Sequence, residues 1–75
     1  MTLNELHNGE KARITSIGED SLSSKLMEMG LFPGTQIEIK LTAPFGDPIA
    51  IETGFMMLAI RRSDAKNIVI EKIEI

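Results

Sequence analysis

The stretch Leu26-Met27-Glu28-Met29-Gly30-Leu31-Phe32-Pro33-Gly34 constrains this 75-residue chain more than any other, because within nine residues it stops a helix and hands the backbone to a strand. Leu22, Leu26 and Met29 stand at i, i+4 and i+7, within about 60° of one another around a helix, and so form one core-facing stripe. Gly30 follows the last periodic residue and is free to take the left-handed conformation that ends helices. Pro33 cannot continue a helix, and Pro33-Gly34 fits the two central positions of a type II turn, with Gly34 supplying the positive φ. Upstream, Glu19 and Asp20 put negative charge at the helix's positive end, and Ser21 is the expected cap of its first free amides.

Around this corner the chain reads as short strands. Thr2 to Leu6 forms a single helical turn, with Thr2 and Glu5 in a capping-box spacing and Leu3 and Leu6 on one side. His7-Asn8-Gly9 turns into a first strand, Lys11 to Ile17, with Ala12 and Ile14 inward; Ile17 breaks the alternation and predicts a bulge or bend before Gly18. Thr35 to Leu41 alternates most clearly, Ile37, Ile39 and Leu41 to one face and Gln36, Glu38 and Lys40 to the other. Ala43-Pro44-Phe45-Gly46-Asp47-Pro48 carries two prolines and a glycine in six residues and must be a loop. Ile49 and Ile51 begin a third strand. Gly54 turns into Phe55 to Arg61, where Met56, Leu58 and Ile60 share one face and Phe55, Met57 and Ala59 the other. Ser63 is placed to cap a second short helical turn through Lys66, and Ile68 to Ile75 closes the chain as a last strand. Five strands with one inserted helix describe a mostly β fold, a small half-open barrel forming one domain over residues 1–75.

Composition narrows the function. The net charge is −3 and the pI near 5, so no global field draws the chain to nucleic acid or an anionic membrane. With three Phe and no Trp or Tyr, stacking platforms for single strands are scarce. No cysteine is present, which excludes disulfides and thiolate metal cages. The N-terminus has neither a basic region nor a long apolar run, and no stretch reaches about 18 apolar residues, so a cytoplasmic protein without membrane insertion is expected.

Few residues suggest chemistry. His7 is the only histidine, and a metal site would need it together with carboxylates such as Glu5 or Glu10. Fe²⁺ binding is open, but no ligand clustering calls for a cofactor. Ser21, Ser23 and Ser24 lack a nucleophile elbow, and Gly30 to Thr35 lacks the lysine and spacing of a P-loop, so no catalytic residues are assigned. Arg61-Arg62 could serve as an arginine finger toward another protein's nucleotide, although a solvated strand end is the commoner meaning. Apolar residues off the core stripe say more. Met27 falls on the arc of Ser23 and should be partly exposed. Phe55 and Met57 lie opposite the core face of their strand, and a helix lid over them is the plainer reading. The sharper reading is a Met-rich contact surface, for a partner or for self-association.

Leu26-Met27-Glu28-Met29-Gly30-Leu31-Phe32-Pro33-Gly34, Ala43-Pro44-Phe45-Gly46-Asp47-Pro48-Ile49 and Leu58-Ala59-Ile60-Arg61 together resemble the FeoA family, ferrous iron transport protein A, in order and spacing nearly end to end. The resemblance implies an SH3-like β-barrel with an added helix. It further implies a cytoplasmic accessory role, at the inner face of the membrane, beside FeoB, a ferrous iron transporter with a cytosolic GTP-binding domain. The module is also similar to the C-terminal domain of iron-dependent repressors of the diphtheria-toxin type, but the stretch ahead of Lys11 leaves no room for a helix-turn-helix, so a repressor is not expected. Carried onto this chain, the family motif implies partner contact at Leu26, Met27, Met29, Gly30, Leu31, Phe32, Pro33 and Gly34. A second loop, Ala43, Pro44, Gly46, Asp47 and Pro48, is the other implied contact. A transition-metal-sensing module and a nucleic-acid-binding barrel are the alternatives from other classes.

Overall fold

A computed structural model describes residues 1–74. Its five strands, β1 (Lys11–Ile17), β2 (Gln36–Thr42), β3 (Ile49–Glu52), β4 (Met57–Ile60) and β5 (Ile68–Ile73), form one antiparallel sheet in the order β4-β3-β2-β1-β5. Helix α1 (Asp20–Glu28) connects β1 to β2, and the short helix α2 (Arg62–Ala65) connects β4 to β5. The mostly β character and the inserted helix agree with expectation, but the sheet is not closed into a barrel. The two edges are covered to different extents. On the β5 side Thr2 bridges to Val69, and Met1 O accepts the Ile70 amide at 2.9 Å. On the β4 side Lys25, Leu26 and Met29 of α1 wall a small cleft against Ala59 and Ile60, where closure would require β5.

The core is aliphatic, as the composition implies. Ala12 and Ile14 of β1, Ile37 and Ile39 of β2, and Ile49 and Ile51 of β3 meet Leu22 and Leu26 of α1, with Leu3, Leu6, Leu31, Ile60, Ala65, Ile68 and Ile70 completing it. Burying such side chains contributes about 1.5–3 kcal/mol each, the main favourable term in a sheet this small. Met29 packs at its margin. The break at Ile17 is a register shift against β5 between Ile14 and Ser16. Near the N-terminus a 3₁₀ turn, Leu3–Glu5, is held by the Glu5 carboxylate, which accepts the Thr2 amide at 2.9 Å.

Several local expectations change. Ser21 sits inside α1 rather than at its cap: the helix starts after Glu19, and the Ser21 hydroxyl donates back to Glu19 Oε1 at 2.6 Å. Leu41 faces solvent, because the register between β2 and β3 slips from Ile39↔Ile51 to Leu41↔Ala50 and the bulge reverses the alternation beyond Lys40. Ser63 lies within α2, whose first amide, that of Arg62, donates instead to Asp47 Oδ1 at 3.0 Å. Phe55 and Met56 belong to a turn, not a strand: the Thr53 amide donates to Met56 O at 2.9 Å and closes the β3–β4 hairpin there, which leaves Met56 exposed rather than inward. The last strand ends at Ile73, and its expected final residue, Ile75, lies outside the described residues.

Candidate functional site

The exit from α1 closes by two backbone bonds, Gly30 N–H to Met27 O at 3.0 Å and Leu31 N–H to Leu26 O at 2.8 Å. This is the Schellman pairing, and it requires the left-handed residue that Gly30 provides at φ +90. Its usual hydrophobic contact is between the third residue from the helix end and the second past the cap, here Leu26 and Leu31, and both are buried. Leu31, expected at a partner surface, is therefore sealed into the core. The chain then turns at Pro33-Gly34, with Gly34 at φ +97 and the Thr35 amide donating to Phe32 O at 3.0 Å. Gly34 N–H to Ile14 O at 2.6 Å and Ile14 N–H to Thr35 O at 2.9 Å pin this turn to β1.

What remains outside is apolar. Met27 is 45% exposed, Phe32 44%, Phe55 97% and Met57 60%. The lid expected over Phe55 and Met57 is absent, because α1 packs its Leu22–Leu26 stripe inward and makes its close backbone approaches to β1. The exit turn and the β3–β4 turn instead face each other across an open groove of about 610 Å³, with Gly30, Phe32, Thr35 and Gln36 on one wall and Thr53 to Met56 on the other. A methyl added to Gly30 would lie 3.2 Å from Met56 Cε, so the two walls touch at its base. Among the described residues no charged one lines the groove. The sequence points to the exit turn and to a turn at Gly54, but it assigns Phe55 and Met56 to the strand beyond and gives no sign that the two turns meet.

The second expected loop is not part of this groove. Gln36 lies at the groove end of β2 and Ala43 follows the other end, so the two segments stand roughly 20 Å apart along the strand. Loop 43–48 is tied down by Arg62, whose backbone amide binds Asp47 and whose guanidinium donates to Gly46 O at 3.4 Å. Arg62 is thus turned onto its own loop, while Arg61, largely exposed, stands 4.0 Å from Asp64.

Charge is gathered on other faces. Lys40 Nζ lies 2.9 Å from Glu38 and 3.6 Å from Glu52, and its hydrogen bond to Glu38 raises its pKa and lowers that of Glu38. Glu10 binds Lys72, accepts the His7 amide at 2.6 Å and stands 3.1 Å from His7 Nδ1. Lys72 above all, then the His7 amide, draws the Glu10 carboxyl down to about 2. Glu5, the other carboxylate near His7 in sequence, is held by Thr2. Among the described residues no three His, Asp or Glu side chains are gathered as metal ligands, and no helix is long and apolar enough to cross a membrane.

Residues 1–72 match the FeoA domain family. The chain is 34% identical over 74 residues to an Fe(2+) transport protein A/Fe(2+) transporter FeoB fusion protein of Porphyromonas gingivalis (strain ATCC BAA-308 / W83), a match covering 97% of this chain and 9% of that protein's length. Among solved structures, the FeoA protein of Chlorobium tepidum superposes with a TM-score of 0.92 at 35% identity, over 99% of this chain and 71% of that one. Stenotrophomonas maltophilia FeoA, described as a prokaryotic SH3 domain protein and solved in complex with zinc, gives a TM-score of 0.81 at 30% identity over 95% of this chain and 89% of that one. Matched by the FeoA domain family from residue 1 to residue 72, this chain belongs to that family, which is associated with ferrous iron transport.

Proposed function

We propose that the chain is a cytoplasmic accessory protein that docks onto the cytosolic GTP-binding domain of a FeoB-type transporter through the apolar groove between the α1 exit turn and the β3–β4 turn. The observation that carries this reading is the fusion relative, in which a segment similar to 97% of this chain is joined to a FeoB transporter. Covalent joining supplies the high effective concentration that a small, weak contact needs. The groove contributes the rest: it is uncharged and rimmed by Phe32, Phe55 and Met56, the aromatic and methionine composition enriched where proteins meet. The test is an NMR titration of the chain with that GTP-binding domain. Shifts at Met27, Phe32 and Phe55 to Met57 are expected; shifts confined to Ala43–Pro48 would move the contact to the other end of β2, and no shifts at several-fold excess would remove the reading.

A second reading, transition-metal binding, is favoured by the zinc complex of the S. maltophilia relative. Here it would start from His7 and Glu10, whose carboxylate already engages Lys72. Anaerobic calorimetry with Fe²⁺ on the chain and on His7→Ala distinguishes the two, since only this reading expects heat that the substitution abolishes.

A further inference from the structure

The hairpin that forms one wall of the groove is also an unfinished sheet edge. In an antiparallel ladder, residues alternate between bonding inward to the neighbouring strand and facing away from it. The Thr53 N–H to Met56 O bond sets the phase. With the register Glu52↔Met57, Ile51↔Leu58, Ala50↔Ala59 and Ile49↔Ile60, the backbones of Leu58 and Ile60 bond to β3, whereas those of Met57 and Ala59 face the free side. At Ala59 that side is walled by Lys25, Leu26 and Met29 of α1. Met57 has no such wall, and among the described residues its outward N–H and C=O meet no backbone partner. The opposite edge of the sheet is already finished by Met1 and Thr2. Natural edges are usually blunted by charge or proline, yet from Thr53 to Ile60 there is neither.

We infer that the partner enters as an extended, uncharged segment whose backbone pairs with Met57 and one of whose apolar side chains seats between Phe32, Phe55 and Met56. This rests on the proposed docking to a FeoB-type transporter and names its mode. A helix has its backbone groups bonded internally and could not satisfy Met57; an extended chain offers a donor and an acceptor at the strand spacing and sends alternate side chains toward the groove. A second copy of this chain is the weaker occupant. Among the described residues the groove and its free edge present only Phe32, Phe55, Met56 and Met57 as large exposed apolar side chains, whereas a stable dimer interface takes roughly 20–30 residues and about 800 Å² from each partner.

The test is amide hydrogen exchange by NMR on the chain with and without the transporter's GTP-binding domain, together with affinity measurements on Met57→Pro and Met57→Ala. Met57→Pro deletes an outward donor without removing a bond to β3, a position where a strand tolerates proline; Met57→Ala keeps the donor. The expected result is at least tenfold slower exchange of the Met57 amide in the complex, unchanged exchange at Leu58, binding at least tenfold weaker for Met57→Pro and within threefold of wild type for Met57→Ala. If Met57→Pro does not fold, the exchange measurement on the unaltered chain decides alone. Binding with an unprotected Met57 amide overturns the strand mode and leaves the docking intact, whereas no binding at all overturns both. Protection of Met57 that grows with the chain's own concentration, without the partner, assigns the edge to a second copy and overturns the inference.

Discussion

At the scale of single residues, Gly30 and Gly34 both hold positive φ, but their surroundings differ. A side chain at either costs about 1–2 kcal/mol for the left-handed backbone. At Gly34 nothing lies within 4 Å, while at Gly30 the new methyl meets Met56 Cε at 3.2 Å. Gly34→Ala is therefore expected to lose about 1–2 kcal/mol in urea denaturation. Gly30→Ala should lose slightly more, because the flexible end of Met56 can yield; a neutral Gly30→Ala would contradict the cap described above. Met27 poses the opposite case. Nearly half exposed and outside the core, it should accept Met27→Glu within about 0.5 kcal/mol, and under the proposed docking the substitution abolishes binding to a FeoB-type GTP-binding domain. A large fall in melting temperature instead would make it a packing residue. Met27's exposure was legible from its arc on the helix. Leu31's burial was not, although the glycine-ended helix held the clue: the Schellman cap that Gly30 announces also pulls the second residue beyond it onto Leu26.

At the scale of elements, local periodicity worked until something non-local intervened. The α1 stripe and the Pro33-Gly34 turn are governed by neighbours in sequence and were legible there; the β1 bulge, a slip against β5, was legible only as the broken alternation at Ile17. Leu41 was misjudged because a single extra residue in the β2–β3 pairing inverts every side chain after it, and nothing in Lys40-Leu41-Thr42 signals that slip. The start of α2 was misassigned to Ser63 because its first amide is satisfied from 15 residues away, by Asp47. The groove was missed for the same reason, since its two walls meet only once β2 and β3 have paired. The Asp47 bond carries a prediction of its own. Asp47→Ala removes the acceptor for the Arg62 amide and is expected to cost about 1 kcal/mol. Hydrogen exchange should show faster opening at Arg62 with β1 and β2 unchanged; a uniform acceleration across the sheet would mean that loop 43–48 supports the whole fold.

At the scale of the molecule, the open sheet is held by its ladders and by side-chain pairs between neighbouring strands, and the Glu10–Lys72 pair is one such tie, joining the start of β1 to the far end of β5. Because Lys72 and the His7 amide stabilise the ionised carboxylate, Glu10 titrates near 2 in the folded chain, below its ordinary 4.5. The sign follows from that depression. The folded state holds fewer protons than the unfolded one between these values, so the contribution is fully present above about 4.5 and is lost as pH falls through about 2. Glu10→Gln, which cannot ionise, should be less stable than the parent at pH 7, and urea denaturation at descending pH should show the two curves converging between those values and coinciding below them. Added salt should narrow the gap at pH 7, because the pair lies at the surface where counterions screen it. A gap that persisted undiminished at pH 2 would mean that the glutamate side chain acts there by packing rather than by charge, with the β1–β5 ladder holding the two strands together without it.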